Sequence, residues 1–378
     1  MKSTSISNKY ILEFNELEVG DIILESGKKP HSLAIQKYTK SNYSHAMICV
    51  SKGSLVHAEK NGIFSLNPQR ILVDKENDFK VLRLKESLSE FQRKKLETFL
   101  RHKIGSLYSV KDALMVAIDK NTKNTNQYQF CSRLVAQAYK HIGYDLVDNP
   151  DFCSPGDIER SELLVEVPGL IRKAYSAEIE FAQTRNMILE NQKSFYKWVN
   201  KTRKLATKNG FEVVVVTDID YFLKKFPYYD EQVCKWIKES GYLENYLIEV
   251  ENNLHMHDVD MFFRKYGKEV ESLVHALIGE YNNTIEPMQR HIENYINSKK
   301  NYEATKLMFY KIHIDLYSNI LSVFLSKHTT LFNVATKLLK TRCIHQSQVK
   351  EVQQNTKYWI EELKTIGIEK FDTNSLKY

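Results

Sequence analysis

The sequence is short of the residues that mark several large classes of protein. Its five cysteines (Cys49, Cys131, Cys153, Cys234 and Cys343) are odd in number, scattered, and free of C-x-x-C spacing. That excludes a disulfide framework and gives no cysteine-based zinc site. No apolar run reaches the ~20 residues that a membrane-spanning helix needs. The first residues, MKSTSISNKYILEF, hold no apolar core of signal-peptide length. A reducing cytoplasm is the expected compartment, with signal-independent export still compatible with the same residues. A strong excess of one charge is missing as well. Lysine and arginine number 54 against 47 aspartates and glutamates, a net +7 over 378 residues. No basic stripe of the kind a nucleic-acid binder carries is visible, whereas weak peripheral contact with an anionic membrane surface stays open. Phosphate-loop and dinucleotide glycine patterns are absent.

What is present is a globular composition, 42% hydrophobic and 27% charged, which excludes a disordered or fibrous chain. The length suggests two or three domains. Most glycines and prolines fall in the first 169 residues. This skew predicts a turn-rich α+β domain over 1–172 and a mainly helical accessory domain over 173–378.

Along the first part, GDIILES (20–26), HAMICVS (45–51), SLVHAEK (54–60) and FKVLRL (79–84) read as strands. Lys52-Gly53 and Asn61-Gly62 supply turns. Helices are expected from Pro30 to about Lys40 and from Ser87 or Ser89 to about His102, the latter burying Phe91, Leu96, Phe99 and Leu100. Tyr108 to Ile118 should be helical too. CSRLVAQAYKHIG (131–143) has an apolar stripe of Leu134, Val135, Ala138 and Ile142, with Gly143 at the C′ position. A short turn from Ser154-Pro155 and a closing strand, LLVEV (163–167), end the unit. Beyond residue 175 the pattern is helical, with long helices over 268–299, 303–327 and 329–365. The exception is FEVVVV (211–216), whose β-branched run predicts a strand, followed by Thr217 as an N-cap.

The residues with chemical potential are His45, Glu59 and Cys131. A thiol near its usual pKa is mostly protonated at neutral pH, so a nucleophilic cysteine needs help. Cys131 falls at the start of a predicted helix, where unpaired N–H groups and the helix dipole favour a thiolate and can receive an oxyanion. A strand-edge histidine such as His45 can take the thiol proton and return it to a leaving group. Glu59, near the end of the next strand, can hold that imidazole in one tautomer. Two other clusters have plainer readings. His255, His257, Asp258 and Asp260 in HMHDVD look like a turn entering a helix, and Thr217, Asp218 and Asp220 look like helix-capping residues. Cys49 sits inside an apolar strand and reads as core.

Read together, the flanking residues are more specific. Gly20-Asp21-Ile22-Ile23-Leu24, Tyr43-Ser44-His45-Ala46, Val56-His57-Ala58-Glu59, Gly105 to Tyr108, Phe130-Cys131-Ser132-Arg133-Leu134 and Ser154-Pro155-Gly156-Asp157 occur in that order. The series resembles the permuted papain-like branch of the NlpC-type hydrolases, nearest its YiiX/YaeF-like group, over about residues 18–167. The resemblance implies a permuted papain-like domain with an antiparallel sheet and packed helices. It matches the family's histidine to His45, its third polar residue to Glu59 and its nucleophile to Cys131. Tyr108, Tyr43, Ser44 and Ser132 then fall around the substrate. It implies a thiol acyl-enzyme route to amide, ester or thioester bonds in a peptide or acyl-containing substrate, without metal or organic cofactor. The long 109–127 connection and Arg133, where an acidic residue is common, depart from the pattern. Oligomeric state and the partner of the helical half stay open.

Overall fold

The computed structural model describes residues 9–51, 53–59, 62–107, 131–267, 269–341 and 345–371. The expected helix over Tyr108 to Ile118 lies outside them. The chain divides into two compact units, Met1–Phe222 and Leu223–Tyr378.

The first unit is built on a six-stranded antiparallel sheet. Its strands are β2 (Ile22–Glu25), β3 (His45–Ser51), β4 (Ser54–Glu59), β5 (Gly62–Leu66), β6 (Phe79–Leu84) and β7 (Leu164–Glu166), in the spatial order β5-β4-β3-β2-β6-β7. A separate pair joins β1 (Tyr10–Leu12) to β8 (Ile171–Lys173). Both faces of the main sheet are covered, and strand alternation sorts its side chains between two cores. Ile22, Leu24, Ala46, Ile48, Val50 and Val56 face one core, shared with α2 (Glu90–Lys103) and α3 (Cys131–His141). Ile23, Met47, Cys49, Leu55, Phe79 and Val81 face the other, with Leu12, Leu17 and Leu170. This double burial is why HAMICVS is apolar nearly throughout. Leu134, Val135 and Ala138 of α3 are fully buried against the sheet, each of the two larger side chains contributing about 1.5–3 kcal/mol.

Helix α2 begins at a reciprocal capping box. Gln92 N donates to Ser89 Oγ, and Ser89 N donates to Gln92 Oε1. The expected burial of Phe91 is corrected: it is 75% exposed. At 100° per residue it lies about 140° around the helix from Leu96, off the face that holds Leu96 and Leu100. Two short helices, α1 (Pro30–Thr39) and α4 (Pro155–Glu159), flank the sheet.

The first unit runs on through α5 (Ser176–Gln183) and α6 (Met187–Lys208) to the start of α7 (Asp218–Lys225). Helix α6 is fastened to β5, where the Tyr196 hydroxyl donates to Ile63 O at 2.8 Å and Gln192 Nε2 to Ser65 O at 2.7 Å. Gly62 (φ +133°) permits this approach, because a Cβ there would lie 2.7 Å from the Ser106 carbonyl and 2.5 Å from the Tyr196 hydroxyl.

The strand expected at 211–216 does not form; the segment is an irregular lead into α7. Its backbone groups bond to side chains instead of a ladder. Val214 N and Val215 N both donate to Asp218 Oδ2 at 2.9 Å, and Arg203 donates to Val213 O, Val214 O and Gly105 O. A β-branched run supplies propensity, but a strand also needs an edge to pair with. Asp218→Ala would leave two amides short of acceptors. Its expected cost is roughly 1–2 kcal/mol, read as faster amide exchange in residues 211–222 at unchanged protection of β3.

The second unit is helical. Its short helices are α8 (Asp230–Ser240), α9 (Asn245–Asn252) and α10 (Val259–Tyr266), and its long ones α11 (Val270–Thr305), α12 (Met308–Leu338) and α13 (Gln346–Thr365). Leu273, Val274 and Leu277 pack with Leu331, Val334, Leu338 and Val349, whereas Met288 and Tyr295 pack with Leu321, Leu325 and Leu363. Residue numbers thus fall along each helix as they rise along the next, which defines an antiparallel three-helix bundle. The helix boundaries expected at 299, 303, 327 and 329 are corrected. Lys327 and His328, at the expected boundary, are both buried inside α12 with partners. Lys327 pairs with Glu249, and His328 Nε2 lies 3.2 Å from Thr284 Oγ1. Among the described residues no helix is long and apolar enough to cross a membrane.

Candidate active site

Three of the polar side chains in the β3–β4 hairpin converge at one end of the sheet. His45 is the first residue of β3 and pairs across β2 with Glu25. His57 pairs with Met47 on β3 and with Phe64 on β5, so it shares the face of Met47. Two residues further on, Glu59 returns to that face at the exposed end of β4. His45 Nε2 and His57 Nδ1 are 2.9 Å apart, with their rings edge to face. A Glu59 carboxylate oxygen lies 3.9 Å from His57 Nδ1. That is beyond hydrogen-bond range.

Burial sets the protonation of the two rings. Desolvation, helped by the Lys29 charge, pushes His45 down to about 4, and desolvation plus His45 itself holds His57 well below the usual histidine value. Both imidazoles are therefore neutral at pH 7, and their hydrogen bond holds one proton between two nitrogens. Glu25 is raised by burial, then by Glu59. It adds a second carboxyl group to the same face.

Cys131 approaches from the other core. It opens α3, is 7% exposed, and packs in the cluster of Ala46, Ala58 and Leu134. Burial raises its thiol above the usual value. The Ala46 amide, the amide and hydroxyl of Ser132 and its own amide pull the other way. The sulfur thus meets β3 one residue beyond His45. Among the described residues it makes no hydrogen bond to the His45 ring, whose Nε2 is engaged by His57. Cys49 is pushed up to about 12 by burial and Cys153 is raised by the same cause.

The other expected site residues are placed as follows. Tyr43 is buried beneath the Lys80 ammonium, 5.5 Å from its ring centre. Ser44 Oγ accepts from Gly27 N at 3.0 Å, and Ser132 Oγ donates to Cys153 O at 2.6 Å. Both hydroxyls thus brace the backbone around the site. Tyr108 lies outside the described residues. Arg133 is buried and donates to Asp151 O at 2.8 Å. In HMHDVD, Asp258 caps α10, His255 meets Lys265, His257 Nδ1 lies 2.9 Å from Ser326 Oγ and Asp260 pairs with Lys337. These four side chains face separate partners.

Sequence reasoning missed the role of His57. The signal was available in strand parity: His57 and Glu59 share one face of β4, so either could stand beside His45.

A cysteine at a helix N-terminus, packed on an antiparallel sheet whose earlier strands carry the histidines, defines a permuted papain-like domain. Residues 16–152 match the family model described as permuted papain-like amidase enzyme, YaeF/YiiX, C92 family. That segment is a little over a third of the chain, and the family matched is the one its motifs resemble. Among solved structures, the crystal structure of metalloprotein yiiX from Escherichia coli O157:H7 aligns with 42% of this chain and 98% of its own. The sequence identity is 18% and the TM-score 0.28. No curated protein matches the chain.

Proposed function

We propose that the N-terminal unit is a cysteine hydrolase of amide bonds, with Cys131 as nucleophile and His45 as base. The observation that carries this reading is the meeting of the Cys131 sulfur with the β3 backbone beside His45, whose Nε2 is engaged by His57. The tautomer follows from that bond. If His45 keeps its proton on Nε2 and donates it to His57 Nδ1, its Nδ1 lone pair is free to act as a base.

The thiol proton then passes to His45 Nδ1 as sulfur bonds to the substrate carbonyl carbon. The N–H groups of the first turn of α3 receive the oxyanion. The carbon–nitrogen bond breaks, and the amine leaves with the proton from Nδ1. Water, deprotonated by His45, cleaves the thioester and restores the thiol. The thiol lies on the Ala46 face of β3 and the His45 ring on the Met47 face, so this reading requires the His45 side chain, at the strand end, to turn toward Cys131 when substrate binds. The family-level description as an amidase supports amide over ester substrates, and peptidoglycan-type peptides are the substrate class proposed. Full-length protein incubated with muropeptides beside acyl lipids, read by mass spectrometry, tests this. New amine and carboxylate termini are expected, and turnover of the lipids alone would overturn the reading.

The third residue can be tested separately. His57→Ala should lower kcat/KM by about 10²- to 10⁴-fold, because it removes the acceptor that fixes the tautomer and supports the imidazolium. Glu59→Gln should cost under about tenfold, since an exposed charge at this range contributes little. The reverse ranking would make Glu59 the orienting residue, as the family resemblance implies.

A further inference from the structure

One ring nitrogen each of His45 and His57 and a carboxylate oxygen of Glu59 all lie within 4.8 Å of one another. This is the donor set of a three-ligand metal centre, two imidazoles and a carboxylate, gathered from adjacent strands onto one face. We propose that His45, His57 and Glu59 form a binding site for one divalent zinc-class ion, and that the ion and the catalytic base compete for His45.

The geometry can close by movement of one carboxylate. Tetrahedral zinc with bonds of about 2.0–2.1 Å sets its ligand atoms roughly 3.3 Å apart. The two nitrogens stand at 2.9 Å and the carboxylate at 3.9 Å from His57. A metal would therefore spread the rings by a few tenths of an ångström and draw the Glu59 carboxylate in by roughly 0.6 Å toward His57 and, from within 4.8 Å, by up to about 1.5 Å toward His45. His57 is held between Met47 and Phe64, whereas Glu59 is an exposed side chain at a strand end and can supply the movement. That exposed end also leaves a fourth coordination position to water. Imidazole nitrogens favour zinc-like ions over magnesium or calcium.

The competition follows from counting protons. Each neutral imidazole carries one. A metal on His45 Nε2 forces that proton onto Nδ1, the nitrogen proposed to accept the thiol proton. No proton need be lost; the base is blocked by tautomer. This consequence rests on the reading of His45 as base, whereas the binding does not.

The test uses the full chain stripped by chelator and titrated with cobalt(II), then with zinc(II) against a chromophoric indicator. One cobalt per chain is expected, with tetrahedral d–d bands and no thiolate charge-transfer band. Cys131→Ala should keep this spectrum. His57→Gln and Glu59→Gln should each weaken zinc binding at least about tenfold, and the exposed position of Glu59 makes its variant a safe one for folding. Wild-type binding no tighter than that of both variants, or a spectrum lost with Cys131, would overturn the site. An active amidase that binds no zinc sinks the metal proposal alone. A zinc-binding chain whose Cys131→Ala variant still hydrolyses amides sinks the hydrolase reading alone.

Discussion

Cys131→Ala is expected to lower amide hydrolysis by on the order of 10⁴-fold or more, the scale seen when a covalent nucleophile is removed. The fold should survive, because alanine is the best helix former and the α3 stripe of Leu134, Val135 and Ala138 stays in place. Unchanged near- and far-ultraviolet circular dichroism would establish that. The wild-type thiol has a chemical signature of its own. Burial raises the Cys131 thiol, and both nearby imidazoles are neutral, so the resting site is a thiol beside a neutral ring and not a preformed ion pair. Alkylation by a small reagent should therefore rise about tenfold per pH unit through neutrality, with no acid plateau. Cys49 and Cys234, both pushed up to about 12 by burial, should lag behind it. Hydrolysis retained above a tenth of wild type in Cys131→Ala would reject the nucleophile. A pH-independent labelling rate would reject the neutral resting state.

The sequence carried most of the first unit because its signals are local. HAMICVS and FKVLRL coincide with β3 and β6, and the stripe of 131–143 coincides with α3. What it could not carry were choices made by distant partners. FEVVVV has strand propensity but no edge to join, and Arg203 and Asp218 take up its backbone groups. Lys327-His328 is polar, yet Glu249 and Thr284 let α12 bury it. The site shows the same division. Parity relates His57 to Glu59 along β4, but only the packed sheet brings His45 to that face, sets His57 at 2.9 Å from it and leaves the carboxylate at 3.9 Å from His57. The meeting of Cys131 with the Ala46 amide joins residues far apart in sequence, so the pairing of thiol and strand was legible only through the family resemblance.

Those buried polar groups give the helical unit a sharp acid sensitivity. Burial holds His291 and His328 down to about 4 and His257 to about 3, with Arg290 beside the first and Lys327 beside the other two. Each depressed value means that the folded unit refuses a proton that the unfolded chain accepts below about 6.5. The unfolded state then binds more protons, so stability rises with pH between about 4 and 6.5 and falls as the solution is acidified through that window. At pH 5 each histidine costs about 2 kcal/mol relative to pH 8, and the three together about 6 kcal/mol. That is comparable with the whole stability of a typical domain, about 5–15 kcal/mol. Amide exchange followed by mass spectrometry on the full chain should therefore show α11, α12 and α13 losing protection as pH falls from 7 to 5, after correction for intrinsic exchange rates. His328→Gln keeps a polar partner for Thr284 but cannot take up a proton. It should remove about a third of this pH dependence even if it lowers stability at pH 8. Protection that stays level from pH 7 to 5 in the wild-type chain would mean that these histidines charge freely within the fold.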